Sequence, residues 1–501
     1  MKKLLAVLLA GCLALGALAG CGQSGGGNES GAQESTAAES QDGEEPFLIK
    51  YAYMTTSVPK DVDLVTEKIN EYLEDKINAN FEFAILTGDF ATQLNLMMSS
   101  GEKLDLVCEL GTRLPSDAAK NMLLPLNDLL ESHGQGILEV AGDYLPATTI
   151  NGNVYSVPSI RSMSISTGLS IDEAIVKEYN IDVDAIKEPE ELTPIFERIK
   201  ADRPDQALVY SNSTQRSIYD NAFTDFDVLN DGIGVLSKDG LTVVNHFDTD
   251  EYEQDLKTIR DWYNKGYILQ DNATNEDFLT LHAQGQLIGS FQLTQPGAET
   301  SFAQFIGGVP QDTIILTEPM LTTVQVASCA TALPINCENP EKTMEFLNLM
   351  YTDEYLINLV DWGIEGTHYV KTDVENVIRY PDGVTIDNQG WNYAVGFLFG
   401  NQLKSYVLEG DDPDLYEQLA AWNENSAASP ALGFTFDSTP VKTEYVAVQN
   451  VLAEYKVSLE NGALDVDSTL PEFRNALKDA GIEAIIAEKQ NQLDKWAAEN
   501  K

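Results

Sequence analysis

The residue types that most often do chemistry are scattered in this chain. Its four histidines, His133, His246, His282 and His368, are far apart and fall in different predicted elements, so no histidine-ligated metal is expected. Beyond residue 46 there is no G-x-S-x-G turn, and the chain has no H-E-x-x-H and no phosphate-loop lysine motif. Gly232-Ile233-Gly234 lacks the third glycine of a dinucleotide loop. Asn180, Asp182, Asp184 and Glu191 match oxygen positions of a calcium loop, but Ala185 stands where the sharp turn needs glycine. A helix–turn–helix surface is the better reading there. What remains is binding chemistry. A neutral polar ligand needs flat apolar faces for its C–H surface and a few fixed donors and acceptors for its hydroxyls. Trp391, Tyr53 and Tyr155 offer the faces. Thr55, Asp89, Arg113, Arg161, Gln292, Glu365 and Asn392 offer the polar groups. Each has a plainer alternative: Asp89 a helix cap, Arg113 the partner of an acid, Glu365 a brace for its own loop. Trp362 is a further stacking candidate, and Trp262, in mid-helix, reads as core.

The elements that would position these groups follow from hydrophobic period. Phe47–Tyr53 and Phe81–Leu86 read as strands, and Leu104–Cys108 as a third. Between them, Val65, Ile69, Tyr72, Leu73 and Ile77 fall at helical spacing, and Asp89 can cap a helix that Gly101 stops. Strand, helix, strand, helix, strand calls for a parallel sheet, whose ligands gather beyond the carboxyl ends of the strands. Those ends are Met54–Ser57, Thr87–Asp89 and Leu110–Arg113. Asn151-Gly152 marks a turn before a short strand, Val154–Pro158. Helices are then expected at Asp172–Tyr179, Glu188–Lys200, Asp250–Lys265 and Asn275–Gln284, and strands at Ala207–Tyr210 and Gln286–Phe291. Leu321–Ala332 reads as one more strand run, followed by a helix at Pro340–Tyr351. The last part is mainly helical, with Val441–Tyr455 and a pair over Pro471–Glu499 broken near Gly481.

The chain has 501 residues, with 31 basic and 79 acidic side chains and a net charge of −48. Such a surface repels nucleic acid and anionic lipid. After residue 20 no stretch approaches the roughly 20 apolar residues of a membrane helix, so the body is expected to be soluble. Five cysteines rule out a disulfide scaffold. Cys108 and Cys329 lie in apolar runs and read as core.

Lys2 and Lys3, an apolar run from Leu4 to Ala19, and then Leu18-Ala19-Gly20-Cys21 resemble a bacterial lipoprotein signal. The resemblance implies lipidation of Cys21 and loss of residues 1–20. Several acyl chains would anchor the protein in the outer leaflet of the cytoplasmic membrane, facing outward. Residues 21–46, rich in Gly, Ser, Glu and Gln, would form a disordered tether.

Further motifs resemble the extracellular solute-binding proteins of ABC importers, and within them the large Gram-positive lipoproteins of sugar and oligosaccharide uptake. They are Met98–Leu106, Asn151–Pro158, Asn339–Leu347, Gly363–Tyr369, and Gly433–Asp437 with Val441–Tyr445. The resemblance implies an α/β, two-lobed periplasmic-binding-protein-like (type II) fold with hinge-connected lobes and a helical C-terminal region. Lobe 1 would be 47–158 plus 320–375, and lobe 2 159–319 plus 376–501. The ligand, a mono- or oligosaccharide, would sit between the lobes and pass unaltered to permease subunits, with no cofactor and as a monomer. A cell-surface glycan hydrolase and a sensory ligand-presenting subunit are the alternatives. Cys21→Ser is expected to abolish labelling with palmitate and to release the chain into the medium. Persistent label on that variant would defeat the lipid-anchor reading.

Overall fold

The computed structural model describes residues 45–500 apart from 56, 111–112, 212–215, 276, 387 and 392–395. The signal, Cys21 and almost all of the tether lie outside the described residues, as does Asn392. Nine strands build two sheets: β1 (Phe47–Met54), β2 (Ala79–Leu86), β3 (Leu106–Leu110), β4 (Val157–Pro158), β5 (Ser166–Asp172), β6 (Val209–Ser211), β7 (Gly289–Thr294), β8 (Gln311–Ile315) and β9 (Cys329–Ala332). The first sheet has the order β2-β1-β3-β9-β4 and the second β8-β5-β7-β6. In the first, β1 pairs in parallel with β2 and β3, while β9 runs antiparallel between β3 and β4. In the second, β5 runs against β7 and β8, and β6 lies parallel to β7.

Local sequence accounts for the first sheet. Tyr51, Ala52 and Tyr53 are all buried, as expected of a strand covered on both faces. The helix Val62–Ile77 buries Val65, Ile69 and Leu73, one per turn, and closes on Asn78 in the left-handed region. Asp89 caps Phe90–Ser100 by accepting from Thr92 N at 3.1 Å, and Gly101 at φ 74° ends it. Calcium-loop mimicry at 180–191 resolves as two short helical turns with a Glu188–Glu191 capping box.

The second sheet departs from the expected pattern. β5 (Ser-Thr-Gly-Leu-Ser-Ile-Asp) and β8 are strands that hydrophobic period did not mark. β5 places a glycine where its neighbours come close. A Cβ on Gly168 would meet Ile314 O at 2.5 Å. Gln292 lies inside β7 rather than just past a strand. Only Cys329–Ala332 of the run Leu321–Ala332 belongs to the first sheet, because Thr322 caps a helical turn over Thr323–Ala327.

Each sheet has its own apolar core. In the first, Tyr51 stacks on Phe399 with centroids 4.5 Å apart, and Phe81 lies 4.9 Å from Phe346. Trp391, Leu398 and Phe399 belong to this core, although the sequence reading placed 376–501 with the other lobe. The second core is built on Phe196, Trp262 and Phe291, as the core reading of Trp262 required. The helices Lys442–Glu460, Val466–Ala480 and Ile482–Asn500 complete it with Val448, Phe473, Leu477 and Ile485. An ion cluster fixes the first of these helices. Lys456 Nζ lies 2.8 Å from Asp220 and 2.7 Å from Glu460, and Glu460 also accepts from Ser217 Oγ and Tyr252 Oη. Burial pushes the Glu460 carboxyl up to about 7 against the pull of Lys456.

Three segments connect the cores: 159–165, 316–322 and 426–433. Thr167 N donates to Thr317 Oγ1 at 2.9 Å, and Leu316 N to Thr167 O at 2.9 Å. Met320 N donates to Ile165 O, Ala427 N to Pro319 O and Ser429 N to Leu321 O, so the three segments lie side by side. The helix Leu415–Asn425 clasps the first of them. Asn423 Oδ1 accepts from Met163 N at 2.7 Å, its Nδ2 donates to Arg161 O at 2.6 Å, and Trp422 Nε1 donates to Ser164 O at 3.1 Å. Asn423→Ala would leave a buried N–H and a buried C=O without partners. A loss of about 2–4 kcal/mol is expected in urea unfolding. An unchanged midpoint would show that the clasp contributes nothing to holding the segment.

Candidate functional site

Topology decides which edges of the two sheets face the connecting segments. The chain leaves β4 at its carboxyl end, Pro158, and enters β5 at Ser166. It leaves β8 at Ile315 on the way to β9. β4 is parallel to β3 and β1, since both β4 and β3 run against β9, and β8 is parallel to β7 and β6, since both β8 and β7 run against β5. The connected edges are therefore the carboxyl ends of β1–β4 and of β6–β8, the ends at which open α/β sheets collect ligands.

On the first edge stand Tyr53, Thr55 and Arg113. Tyr53 is interior: its ring lies 6.0 Å from Tyr51 and 5.8 Å from Phe83, and burial holds its phenol far above the usual range. Thr55 N donates to Leu86 O, and its Oγ1 donates to Ser57 O at 3.1 Å, so the side chain shapes the turn after β1. Arg113 opens the helix Arg113–Ala119. It donates to Asp117 at 2.7 Å and Asn95 at 3.2 Å, with Glu109 at 3.7 Å. The plainer reading of Arg113, a cation paired with acids, is the one this geometry displays. Glu109 is 1 % exposed, and burial raises its carboxyl to about 7, with Asp117 adding to the effect and Arg113 opposing it. Asp89 is exposed and acts as a cap. Hydrogen bonds from Thr92 hold its carboxyl below the usual range.

Arg161 and Gln292 stand nearer the connections and on the second sheet. The Arg161 guanidinium donates to Ser162 O at 2.6 Å, Gln325 O at 2.7 Å and Ser328 Oγ at 2.7 Å, tying the first connecting segment to the helical turn before β9. Gln292 Nε2 donates to Ser170 Oγ across β7 and β5. Tyr155 is half-buried against the first core.

Trp391 and Glu365 belong to one folded loop. The Trp391 ring lies 5.6 Å from Phe83, its Nε1 donates to Val360 O at 2.9 Å, and 3 % of it is exposed. A ring so enclosed has no open face for a ligand in this arrangement. Gly363, at φ 76°, sits where a Cβ would meet His368 Nδ1 at 2.6 Å and Trp391 at 2.9 Å, so the loop and the tryptophan pack only around glycine. His368 Nδ1 accepts from Ile364 N at 2.9 Å. Glu365 is exposed, 4.0 Å from Lys371. Trp362 Nε1 donates to Ser405 Oγ at 2.9 Å and Tyr406 O at 3.1 Å.

The sequence-named residues thus converge on one edge only in part: Tyr53, Thr55, Arg113 and Arg161 line the connected edges, while Asp89 and Glu365 point to solvent. Sequence reading passed over Asp361, in a helix of the first core, and Asn423, whose amide holds Met163 N and Arg161 O. The only local signal for Asp361 is a carboxylate one turn after the buried Ile357 and next to Val360, on the apolar face of its helix.

A family described as "Domain of unknown function (DUF3502)" matches residues 430–498. The chain is 27% identical over 467 residues to a carbohydrate ABC transporter substrate-binding protein of Streptococcus pneumoniae serotype 4 (strain ATCC BAA-334 / TIGR4), covering 92% of each. Among solved structures it overlays on the N-glycan transport solute binding protein NgtS of Streptococcus pneumoniae with a TM-score of 0.81, at 24% identity, covering 91% of this chain and 100% of that one. NgtS in complex with Man5GlcNAc gives 0.67, at 24% identity, covering 91% and 99%. An extracellular solute-binding protein from Bifidobacterium longum subsp. infantis gives 0.62, at 15% identity, covering 90% and 98%. The likeness read from the sequence motifs is borne out: the chain has the two-lobed α/β fold of extracellular solute-binding proteins and is a relative, over nearly its whole length, of those that serve ABC importers.

Proposed function

We propose that this protein is the substrate-binding lipoprotein of an ABC importer and captures a neutral oligosaccharide between its lobes. The observation that carries the reading is the match along 92% of both chains to a relative named for carbohydrate transport. The joined carboxyl-end edges of the two sheets supply a place for the ligand. The solved relative NgtS, in complex with Man1GlcNAc and Man5GlcNAc, supports a short glycan rather than an amino acid or peptide.

In this reading the connecting segments 159–165, 316–322 and 426–433 act as the hinge, and the lobes exchange for the last time near residue 426 rather than at 376. The packing of Trp391 and Phe399 on the first core supports that boundary. Ligand closes the lobes by binding the closed arrangement better than the open one. Thr55, Tyr155, Arg161, Gln292 and Asn392 remain the proposed ligand neighbours, with Tyr53, Arg113 and Trp391 bracing the wall behind them. Cys21 carries the lipid that keeps the protein on the outer face of the membrane beside its permease. Among the described residues no helix is long and apolar enough to cross a membrane. The relatives are transport proteins, and the ligand is passed on unaltered.

A panel of neutral oligosaccharides including Man1GlcNAc and Man5GlcNAc, with peptides and amino acids as controls, tests the proposal by thermal shift and tryptophan fluorescence. A ligand present at a hundred times its Kd is expected to stabilise the chain by about 2.7 kcal/mol and to be recovered unchanged by chromatography. A response confined to peptides, or cleavage of the glycan, would overturn it.

A further inference from the structure

We propose that the crossing Ser429–Gly433, tied to the second lobe through Asp227 and to the first through Thr323, is the pivot about which the lobes close on ligand. Thr323 and Ser429 are then positioning residues for binding, although neither touches the guest. The inference rests on the hinge reading above and gives residues 430–498 a role in it.

The crossing is short and bonded to both sides. Toward the second lobe, Ser429 Oγ donates to Asp227 Oδ2 at 2.6 Å, and Asp227 Oδ1 accepts from Leu229 N at 2.8 Å. Toward the first lobe, Gly433 N donates to Thr323 Oγ1 at 2.8 Å, and that hydroxyl donates to Ala431 O at 3.3 Å. Thr323 opens the helical turn that leads into β9. Ser429, Asp227 and Thr323 are all buried, so water does not replace a bond lost here. Gly433 stands at φ 98°, and a Cβ on it would meet Pro146 O at 2.9 Å, so the segment lies directly against the first lobe. Its neighbour Phe434 turns the other way. It joins Leu229, Leu236 and Leu493 in a small core of the second lobe, with its ring 6.1 Å from Trp496.

When two bodies turn against each other, atoms far from the axis move most. A span of five residues fastened to both bodies keeps its bonds only if it lies at the axis. The first connecting segment supplies a second such point. Trp422 Nε1 holds Ser164 O, and Ser166, two residues on, is already paired with Thr294 of the second sheet. A hydrogen bond between the Ser164 and Ser426 hydroxyls joins the first crossing to the third segment. Two crossings joined in this way mark a line, and the ligand edges of the two sheets swing about it.

The C-terminal helix Ile482–Asn500 holds the anchor on the second lobe. Lys489 is fully buried, and its Nζ donates to Asp231 Oδ1 at 2.6 Å, Ile233 O at 2.6 Å and Gly234 O at 3.1 Å. Gln490 Oε1 accepts from Val243 N at 2.7 Å, and its Nε2 donates to Leu241 O at 3.0 Å. The loop that begins at Asp227 is thereby pinned along its length, with charge-assisted bonds at its centre. A joint ordered in advance spares the ligand the cost of ordering it, so binding free energy goes into turning the lobes. Slack at the joint lets the free chain sample wider openings and lowers affinity without touching the ligand site.

The test compares the native chain with three variants. Thr323→Val keeps the shape and removes the hydroxyl, Thr323→Ser puts the hydroxyl back, and Ser429→Ala releases the other anchor. Small-angle X-ray scattering gives the radius of gyration of the ligand-free chain, calorimetry the affinity for Man5GlcNAc, and melting temperature the integrity of the fold. Thr323→Val and Ser429→Ala are expected to raise the radius of gyration and to weaken glycan binding about three- to tenfold, with Thr323→Ser close to native. Native affinity in both Thr323→Val and Ser429→Ala would overturn the inference, whatever their melting temperatures, and would reduce these bonds to support of the fold. If Thr323→Val does not fold, Ser429→Ala decides alone on the same readings. If the native chain binds neither Man5GlcNAc nor any other glycan of the panel, the carbohydrate reading fails, and an unchanged radius of gyration then overturns the pivot separately.

Discussion

Two separate cores share one chain, and three strands of backbone must pass between them. That passage is the constraint on which the remaining structure depends. Each connecting segment carries N–H and C=O groups that have left their own sheet and need new partners. They find them in one another, in Asn423 and Trp422, and in the fan of bonds from Arg161. A joint built from backbone bonds between parallel-lying segments can bend by small changes at several residues while keeping its bonds. A single unpaired linker would leave the two edges without a fixed relation, and no ligand could then bridge them with defined geometry.

The same constraint explains why chemistry-bearing side chains lie where they do. Arginine at the first edge is neutralised on the spot: Arg113 stands between Asp117 and Glu109 and contributes shape more than charge. Arg161 spends its donors on Ser162 O within the passage and on Gln325 O and Ser328 Oγ of the helical turn beside it. The large aromatics of the first lobe, Tyr51, Tyr53, Phe83 and Trp391, stiffen the wall from inside.

Much of the first lobe was legible from sequence, because its signals are local. Asp89 and Gly101 bracket their helix as spacing predicts, and Val65, Ile69 and Leu73 announce the buried stripe before it. Trp262 was readable as core from its place in a long amphipathic helix. The second lobe was less so. β5 carries three polar hydroxyl residues and a glycine where a strand is usually marked by large apolar ones, and its identity comes from partners 118 to 147 positions away that no local window contains. For the site, the strand ends were predictable from topology alone, but the orientation of each side chain was not. Trp391 looked like a stacking platform by its company of Gly390 and an asparagine, and it turned out to be enclosed because Phe83 and Gly363 close over it. Asp361 was invisible because a single acid on an apolar helix face is usually a solvated edge residue.

The insertion of β9 between β3 and β4 reaches beyond the finished molecule. The first sheet cannot close until residue 332 has been delivered, and the second core waits for Val448, Phe473 and Ile485. A chain emerging from its amino end therefore has no complete independent lobe for the first two-thirds of its length. The first core is then finished once Phe399 has arrived, and the second only with Ile485, so the two halves are completed one after the other.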